Sequence, residues 1–395
     1  MLSNTATRYG AVTKFFHWTI AIGIMAMIPL GIIATDMPYD TAEALAQKAQ
    51  LFSIHKTVGV VLFFVALARI LWALTQPKPA PLHPERKLEV FVAEVVHWLL
   101  YGSLVIVPLS GWVHHAATEG YAPIWGIGQN LPFVPENERL SQVAGALHGV
   151  FEKVLMVSLI LHIVGAAKHH ILDKDDTLRR MTPGVVEAGT PAPHPVVAPL
   201  IGALVVWAFA IGLGQALGVF SAQAAPAQAE LAEVESDWQK QDGEIALSIR
   251  QFGNEVTGSF ADFTAQIRFD ETPGPGTKGD VRVEVAIPSL TLGSVTQQAM
   301  GPDFFNAEAH PTAVFEADIL RAADGYEAQG TLTIKDQSVP LTLPFQLHID
   351  GDTAQMEGRV TLDRRDFAIG SNMTDEGQLG FAVALMVKLT ATRAD

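Results

Sequence analysis

The feature that most limits what this chain can become is the stretch HGVFEKVLMVSLILHIVGAAKHH, from His148 to His170. It is mostly apolar and long enough to cross a bilayer, yet it carries His148 and His162 fourteen residues apart. At 3.6 residues per turn this is close to four whole turns, so both imidazoles lie on nearly one face, about 21 Å apart. A hydrocarbon layer is about 30 Å thick, which puts one histidine near each edge. Ionisable side chains inside a membrane helix are costly, face the bundle interior and mark ligand, proton or electron pathways. This helix therefore predicts two stacked sites.

Charge divides the chain in two. Its 395 residues carry a formal charge of -15, but the first 200 hold 14 Lys+Arg against 14 Asp+Glu, and 11 of the 13 histidines. The remainder holds 12 against 27, so the whole acid excess lies there. An acidic second part argues against nucleic acid and against docking on anionic lipid. With no cysteine, disulfides, iron–sulfur clusters and c-type haem attachment are excluded.

Four further apolar spans are expected, at about 15–35 with His17, 53–74 with His55 and Arg69, 88–115 with His97, and 196–220. A polar loop, about 116–141, precedes the fourth span, which carries His148 and His162. Arg8, Lys14, Lys78, Arg86, Lys87, Lys174, Arg179 and Arg180 flank one side, and only Lys48 and Arg139 the other. The positive-inside rule then places the N-terminus in the cytoplasm and everything after about 221 in the periplasm. The segment GVFSAQAAPAQAE resembles a signal-peptidase site near Ala224, but an uncut, flexible tether is the expected form.

That topology pairs His17 with His162 in one leaflet and His55 with His148 in the other. Two imidazoles from opposite helices are the axial ligands of a b-type haem that passes electrons and leaves no open iron site. A lone histidine on an apolar helix is more often a packing residue, which is the expectation for His114 and His115. His97 is left as a neighbour of the inner site or an alternative ligand.

The strings YGAVTKFFHW, SIHKTVGVVLFFVALARILW, PLSGW, WGIGQNLPFVPENE and LHIVGAAKHHILDKDDTLRRMTPG resemble the bacterial cytochrome b561 family over about residues 8–184. The resemblance implies a four-helix bundle with two b haems that exchanges electrons with ubiquinone, and for some members superoxide oxidation at the outer haem. The carried-over ligands are His17, His55, His148 and His162. Quinone needs proton-handling groups at the membrane edge; Lys168, His169 and His170 are candidates, or simply a basic helix end that sets topology. Lys56, beside His55, is a candidate to attract superoxide.

From Asp237 the period changes to two. Val281–Val283–Val285–Ile287, Leu341–Leu343–Phe345–Leu347–Ile349 and Phe381–Val383–Leu385–Val387–Leu389 alternate between turns, as in an antiparallel sheet of about eight strands closing into a barrel or sandwich. Alternation does not separate a hollow barrel from a solid one. NEVTGSFADFTAQIRFD, VEVAIPSLTLGS, PDFFNAEAHPTAVFEA, YEAQGTLTIKDQSVPLTLPFQL and MEGRVTLDRRDFAIG resemble the YceI family over about 237–391, with FDE where that family usually has FDP. The resemblance implies a lipocalin-like barrel around a polyisoprenoid such as a ubiquinone tail. Phe260, Phe263, Phe304, Phe305, Phe315 and Phe345 are candidate lining residues.

The expected protein is a membrane all-α four-helix di-haem bundle (1–184), a fifth transmembrane helix and linker (185–236), and an all-β antiparallel lipocalin-like barrel (237–395). Its expected cofactors and partners are two haem b, ubiquinone, a polyisoprenoid lipid, the bilayer and a redox partner protein. Two alternatives stay open, an isoprenoid carrier or sensor anchored by the haem bundle, and a haem subunit of a partner dehydrogenase.

Overall fold

A computed structural model describes the chain except residues 1, 39–40, 119–121, 129, 190–195, 222–230, 232–235, 273, 275, 294 and 395. The region around Ala224 and most of the tether lie outside the described residues. The chain forms two compact units, one of long helices and one mainly of strands.

Among the described residues, five helices are long and apolar enough to cross a membrane: α1 (Ala11–Asp36), α2 (Ala42–Leu74), α3 (Lys87–Ala116), α4 (Glu138–Lys168) and α5 (Val197–Ala216). Their apolar side chains are turned outward. Ile22, Ile32, Phe64, Leu71, Ile163 and Phe209 are exposed, while the buried cluster is the small set Ile20, Ile24, Ala66, Leu104 and Leu155. In water that surface would be hidden; in lipid it needs no cover, and helices associate through small residues and close packing. Accordingly Trp207 of α5 fills the notch at Gly102 of α3, where any Cβ would collide with the indole. Two helices are longer than hydropathy suggests. α2 gains 42–52, a stretch rich in Ala, Gln and Leu that favours helix without being apolar throughout, and α4 gains 138–141. Asn137 caps α4 by accepting from the Leu140 N–H at 2.8 Å.

The second unit is one antiparallel sheet with ten strands among the described residues, not about eight. They are β1 (Trp238–Gln251), β2 (Asn254–Phe260), β3 (Phe263–Phe269), β4 (Thr277–Ala286), β5 (Leu290–Thr291), β6 (Thr312–Arg321), β7 (Tyr326–Ile334), β8 (Gln337–Asp350), β9 (Thr353–Asp363) and β10 (Leu379–Arg393). The added strands are short ones, separated by breaks that residue alternation does not mark. The order is β3-β4-β6-β7-β8-β9-β10-β1-β2-β5. The second half of β1 pairs with β2, and its start lies along β3, where the Asp237 N–H donates to Ile267 O at 3.0 Å. The sheet thereby curls into a barrel. Gly330 of β7 sits so close to Glu316 O that a Cβ would overlap it.

The three alternating runs, apart from Phe381, line one cavity of about 280 Å³, so the barrel is hollow; the Phe381 ring packs under Arg365 instead, 3.9 Å from its guanidinium carbon. Its end is held by Arg364, which is 2% exposed. The guanidinium donates to the carbonyls of Gly380, Ile369, Gly370, Met373 and Leu379 at 2.5–3.1 Å. These bonds tie the 3₁₀ turn Arg364–Phe367 to the start of β10. Arg364→Met leaves five carbonyls without this donor, and a hydrogen bond to a charged group is worth about 1.5–3 kcal/mol. The expected loss is about 3 kcal/mol or more, read as a lower midpoint in denaturant unfolding of residues 237–395.

Candidate functional site

Four helices bring the sequence-selected histidines together in two groups. His17 on α1 and His162 on α4 have ring centroids 6.1 Å apart, with planes at 52°. His55 on α2 and His148 on α4 stand 6.4 Å apart at 72°. An iron bonded to one nitrogen of each ring at about 2 Å, with about 1.1 Å more to each ring centre, requires roughly 6.3 Å. Both pairs meet that requirement. His97 on α3 lies 5.2 Å from His162 with its ring edge-on, too close for the two rings to be opposite ligands of one iron.

Local features keep the rings in place. A Cβ on Gly31 would come within 2.9 Å of His55 Cε1, and one on Gly111 within 2.8 Å of His148 Nδ1. Glycine at these helix positions is thus the cradle that each imidazole occupies. His148 Nδ1 donates to Val107 O at 2.8 Å, which fixes the tautomer and frees Nε2 to bind a metal. The Nδ1 atoms of His17 and His55 are buried without a hydrogen-bond partner, as are those of His97 and His115, so it is the ring separation and not this feature that singles out the pairs. The residues therefore fit two bis-imidazole haem sites. His114 behaves as a packing residue, its Nδ1 2.8 Å from Ser141 Oγ and its ring 4.5 Å from that of His115. Arg69 lies over the Tyr101 ring at 5.2 Å. Lys56 is buried.

Beyond His162, α4 passes into a π-helical turn, His169–Asp173, ended by Lys174 in the left-handed region. Such wide turns recur at functional positions. Here it folds the acids back over the helix end. Lys168 Nζ binds Glu89 at 2.7 Å and Asp173 at 2.8 Å. His169 places Nε2 3.1 Å from Glu89, and Nδ1 2.7 Å from Asp175 and 3.1 Å from Asp173. His83 reaches the same Asp175 oxygen at 3.2 Å, with its ring parallel to that of His169 at 6.4 Å. Arg86 joins at 3.2 Å from Asp173. Burial pushes the Asp175 carboxyl up, but the Thr177 hydroxyl and N–H and the His169 ring outweigh it and hold the pKa at about 2. His170 is exposed and stands apart from this network. Sequence reasoning found Lys168 and His169 but missed His83, Glu89, Asp173 and Asp175; the acid run DKDD was the available signal.

In the barrel, Phe260, Phe263, Phe304, Phe305, Phe315 and Phe345 all line the cavity. Phe260 meets Phe305 edge-on at 6.1 Å, and Phe345 stacks on Tyr326 at 5.7 Å. The lining is otherwise aliphatic, apart from Trp238, Arg364, Gln251 and Gln298 and further Phe side chains. Gln251 Oε1 and Gln298 Nε2 are buried without hydrogen-bond partners.

Residues 8–184 match the family model for prokaryotic cytochrome b561, and residues 237–391 that for the YceI-like domain. "Cytochrome b561 homolog 2" of Escherichia coli (strain K12) is 31% identical over 179 residues, covering 45% of this chain and 93% of that one. "Probable superoxide oxidase CybB" of Yersinia pestis is 28% identical over 131 residues, 33% of this chain and 73% of that one. The crystal structure of Burkholderia cenocepacia BcnA aligns at 27% identity and TM-score 0.36, covering 38% of this chain and 96% of that one.

Proposed function

The chain belongs to the prokaryotic cytochrome b561 family and carries a YceI-like domain, and on that premise we propose that it is a di-haem b electron-transfer protein of the bacterial inner membrane that exchanges electrons with ubiquinone. The barrel is tethered on the periplasmic side and binds an isoprenoid there, a quinone or a related prenyl lipid. The observation that carries this reading is the ring separation in the two histidine pairs, 6.1 and 6.4 Å.

His17 with His162, and His55 with His148, would hold the haems. Held this way, haem supplies reversible one-electron transfer without an open iron position. The chain's own part is to fix ring planes with glycine notches and to set the His148 tautomer through Val107 O. At the inner edge the Lys168 ammonium and the His169 ring can donate to a quinone oxygen. At the outer edge Lys56 draws superoxide toward His55, in line with the activity named for the Yersinia relative. Basic residues around α1, the α2–α3 connection and the end of α4 orient the N-terminus to the cytoplasm.

The test is anaerobic mixing of the purified full chain with ubiquinol-1 while the haem spectrum is followed. Reduction of both haems is expected. Haems that dithionite reduces but quinol never does, together with tight lipid binding by residues 237–395, favour the anchored lipid carrier. Reduction only with a co-purifying dehydrogenase favours the subunit alternative.

A further inference from the structure

Resting on the reading that the barrel binds an isoprenoid, we infer that Gln251 and Gln298 form a head-group site inside it. The site selects lipids whose head is a neutral, oxygen-bearing ring and seats that head at the Arg364 end.

Period-two alternation puts Ile245, Leu247, Ile249 and Gln251 of β1 on the inward face, and all four line the cavity. Gln251 is 4% exposed, so an amide stands where the next apolar side chain of the series belongs. Its Oε1 is buried without a hydrogen-bond partner, and so is Nε2 of Gln298, from the short helix Thr296–Met300. A buried amide left unpaired costs stability, and a leucine in its place would not carry that cost. Two such amides on an apolar wall point to a ligand that supplies the partners. Each glutamine offers an acceptor oxygen and N–H donors, which suit the carbonyl or hydroxyl groups of a quinone or quinol ring.

Both glutamines belong to one end of the barrel. Gln251 stands opposite Leu379 in the β1–β10 register, and Leu379 O accepts from Arg364 Nη2 at 3.1 Å. Gln298 O accepts from the Gly301 N–H, and Gly301 O from the Phe304 N–H, both at 3.0 Å. The Phe304 ring lies 3.0 Å from where a Cβ on Gly370 would sit, and Gly370 O accepts from Arg364. The other end, about 40 Å away along the 14 residues of β1, is walled by Trp238, Ile267, Phe269, Leu347, Ile349 and Ala354. The amides therefore match a polar head at one end, and the other end matches an isoprenoid tail.

Among the described lining residues Arg364 alone is charged. A guanidinium has five N–H donors, and the five carbonyls around Arg364 take them all. A prenyl phosphate seated at this end would be buried with no free cationic donor, and an unpaired buried charge is costly. An uncharged head carries no such penalty.

The experiment uses the purified full chain, stripped of lipid in detergent, and azido-ubiquinone-2, whose photoreactive group is on the ring. Within the barrel, label is expected on residues 295–305 and 363–379. Label instead on residues 347–354, at the Trp238 end, would overturn the head site while sparing isoprenoid binding. No label anywhere in residues 237–395 would overturn both. Unlabelled ubiquinone-2 is expected to suppress the barrel label, whereas geranyl pyrophosphate, with the same two-isoprene tail, should need at least about tenfold more. Equal suppression would overturn the selection of a neutral head. In the double variant Gln251→Leu, Gln298→Leu the barrel label is expected to fall at least about tenfold, with the thermal midpoint of the strand circular-dichroism signal kept or raised. Full labelling of that variant would overturn the site, and so would a lowered midpoint, which marks the amides as structural.

Discussion

Purified His148→Ala protein is expected to carry one haem per chain where the parent carries two, and His162→Ala to carry the other one. The geometry makes the losses separable. His148 faces His55 at 6.4 Å and His162 faces His17 at 6.1 Å, so each substitution removes one of two opposed ligands at one site only. A single remaining imidazole cannot keep both axial positions filled, which leaves a weakly held, ligand-accessible iron or none. Soret absorbance per chain should fall to about half in each variant, with a different wave missing from the two redox titrations. Retention of both haems in His162→Ala would return His97 as a ligand, against its 5.2 Å edge-on approach.

Filling the barrel is expected to have the second large effect. Val283 of β4 and Val383 of β10 line the cavity, and the two strands are separated by β6 to β9 in the sheet. Changing both to Phe adds about 100 Å³ of side chain to a cavity of about 280 Å³, and does so with apolar groups that the wall tolerates. Because the new rings enter open space, the stability cost should stay near or below the usual 1–3 kcal/mol of overpacking. Isoprenoid extracted from the purified double variant should drop at least about tenfold by mass spectrometry, with the strand signal in circular dichroism kept. Parental lipid content in a folded double variant would exclude the cavity as the binding place.

The histidine pairs were legible because helical period and membrane depth are both written in linear spacing. The helix ends were less so. Hydropathy starts α2 at Ser53, whereas the preceding residues 42–52, AEALAQKAQLF, extend the helix on intrinsic preference although polar side chains interrupt them. The network around His169 was only partly legible: the run DKDD offers Asp173 and Asp175, but His83 and Glu89 join from separate segments through a π turn that has no sequence signature. In the barrel, alternation gave the inward residues except Phe381, which packs against Arg365, and all six candidate phenylalanines reach the cavity. It could not reveal that the centre is hollow, since a filled and an open barrel share one pattern. Nor did it mark Gln251 and Gln298, whose amides are isolated among aliphatic neighbours far away in sequence.

The most direct measurement is the haem count of the purified full chain, taken as pyridine haemochrome absorbance against protein mass. Two b-type haems per polypeptide are the predicted result. Colourless protein, or a single haem at saturation, would contradict the two-level bundle and leave lipid binding as the chain's main activity.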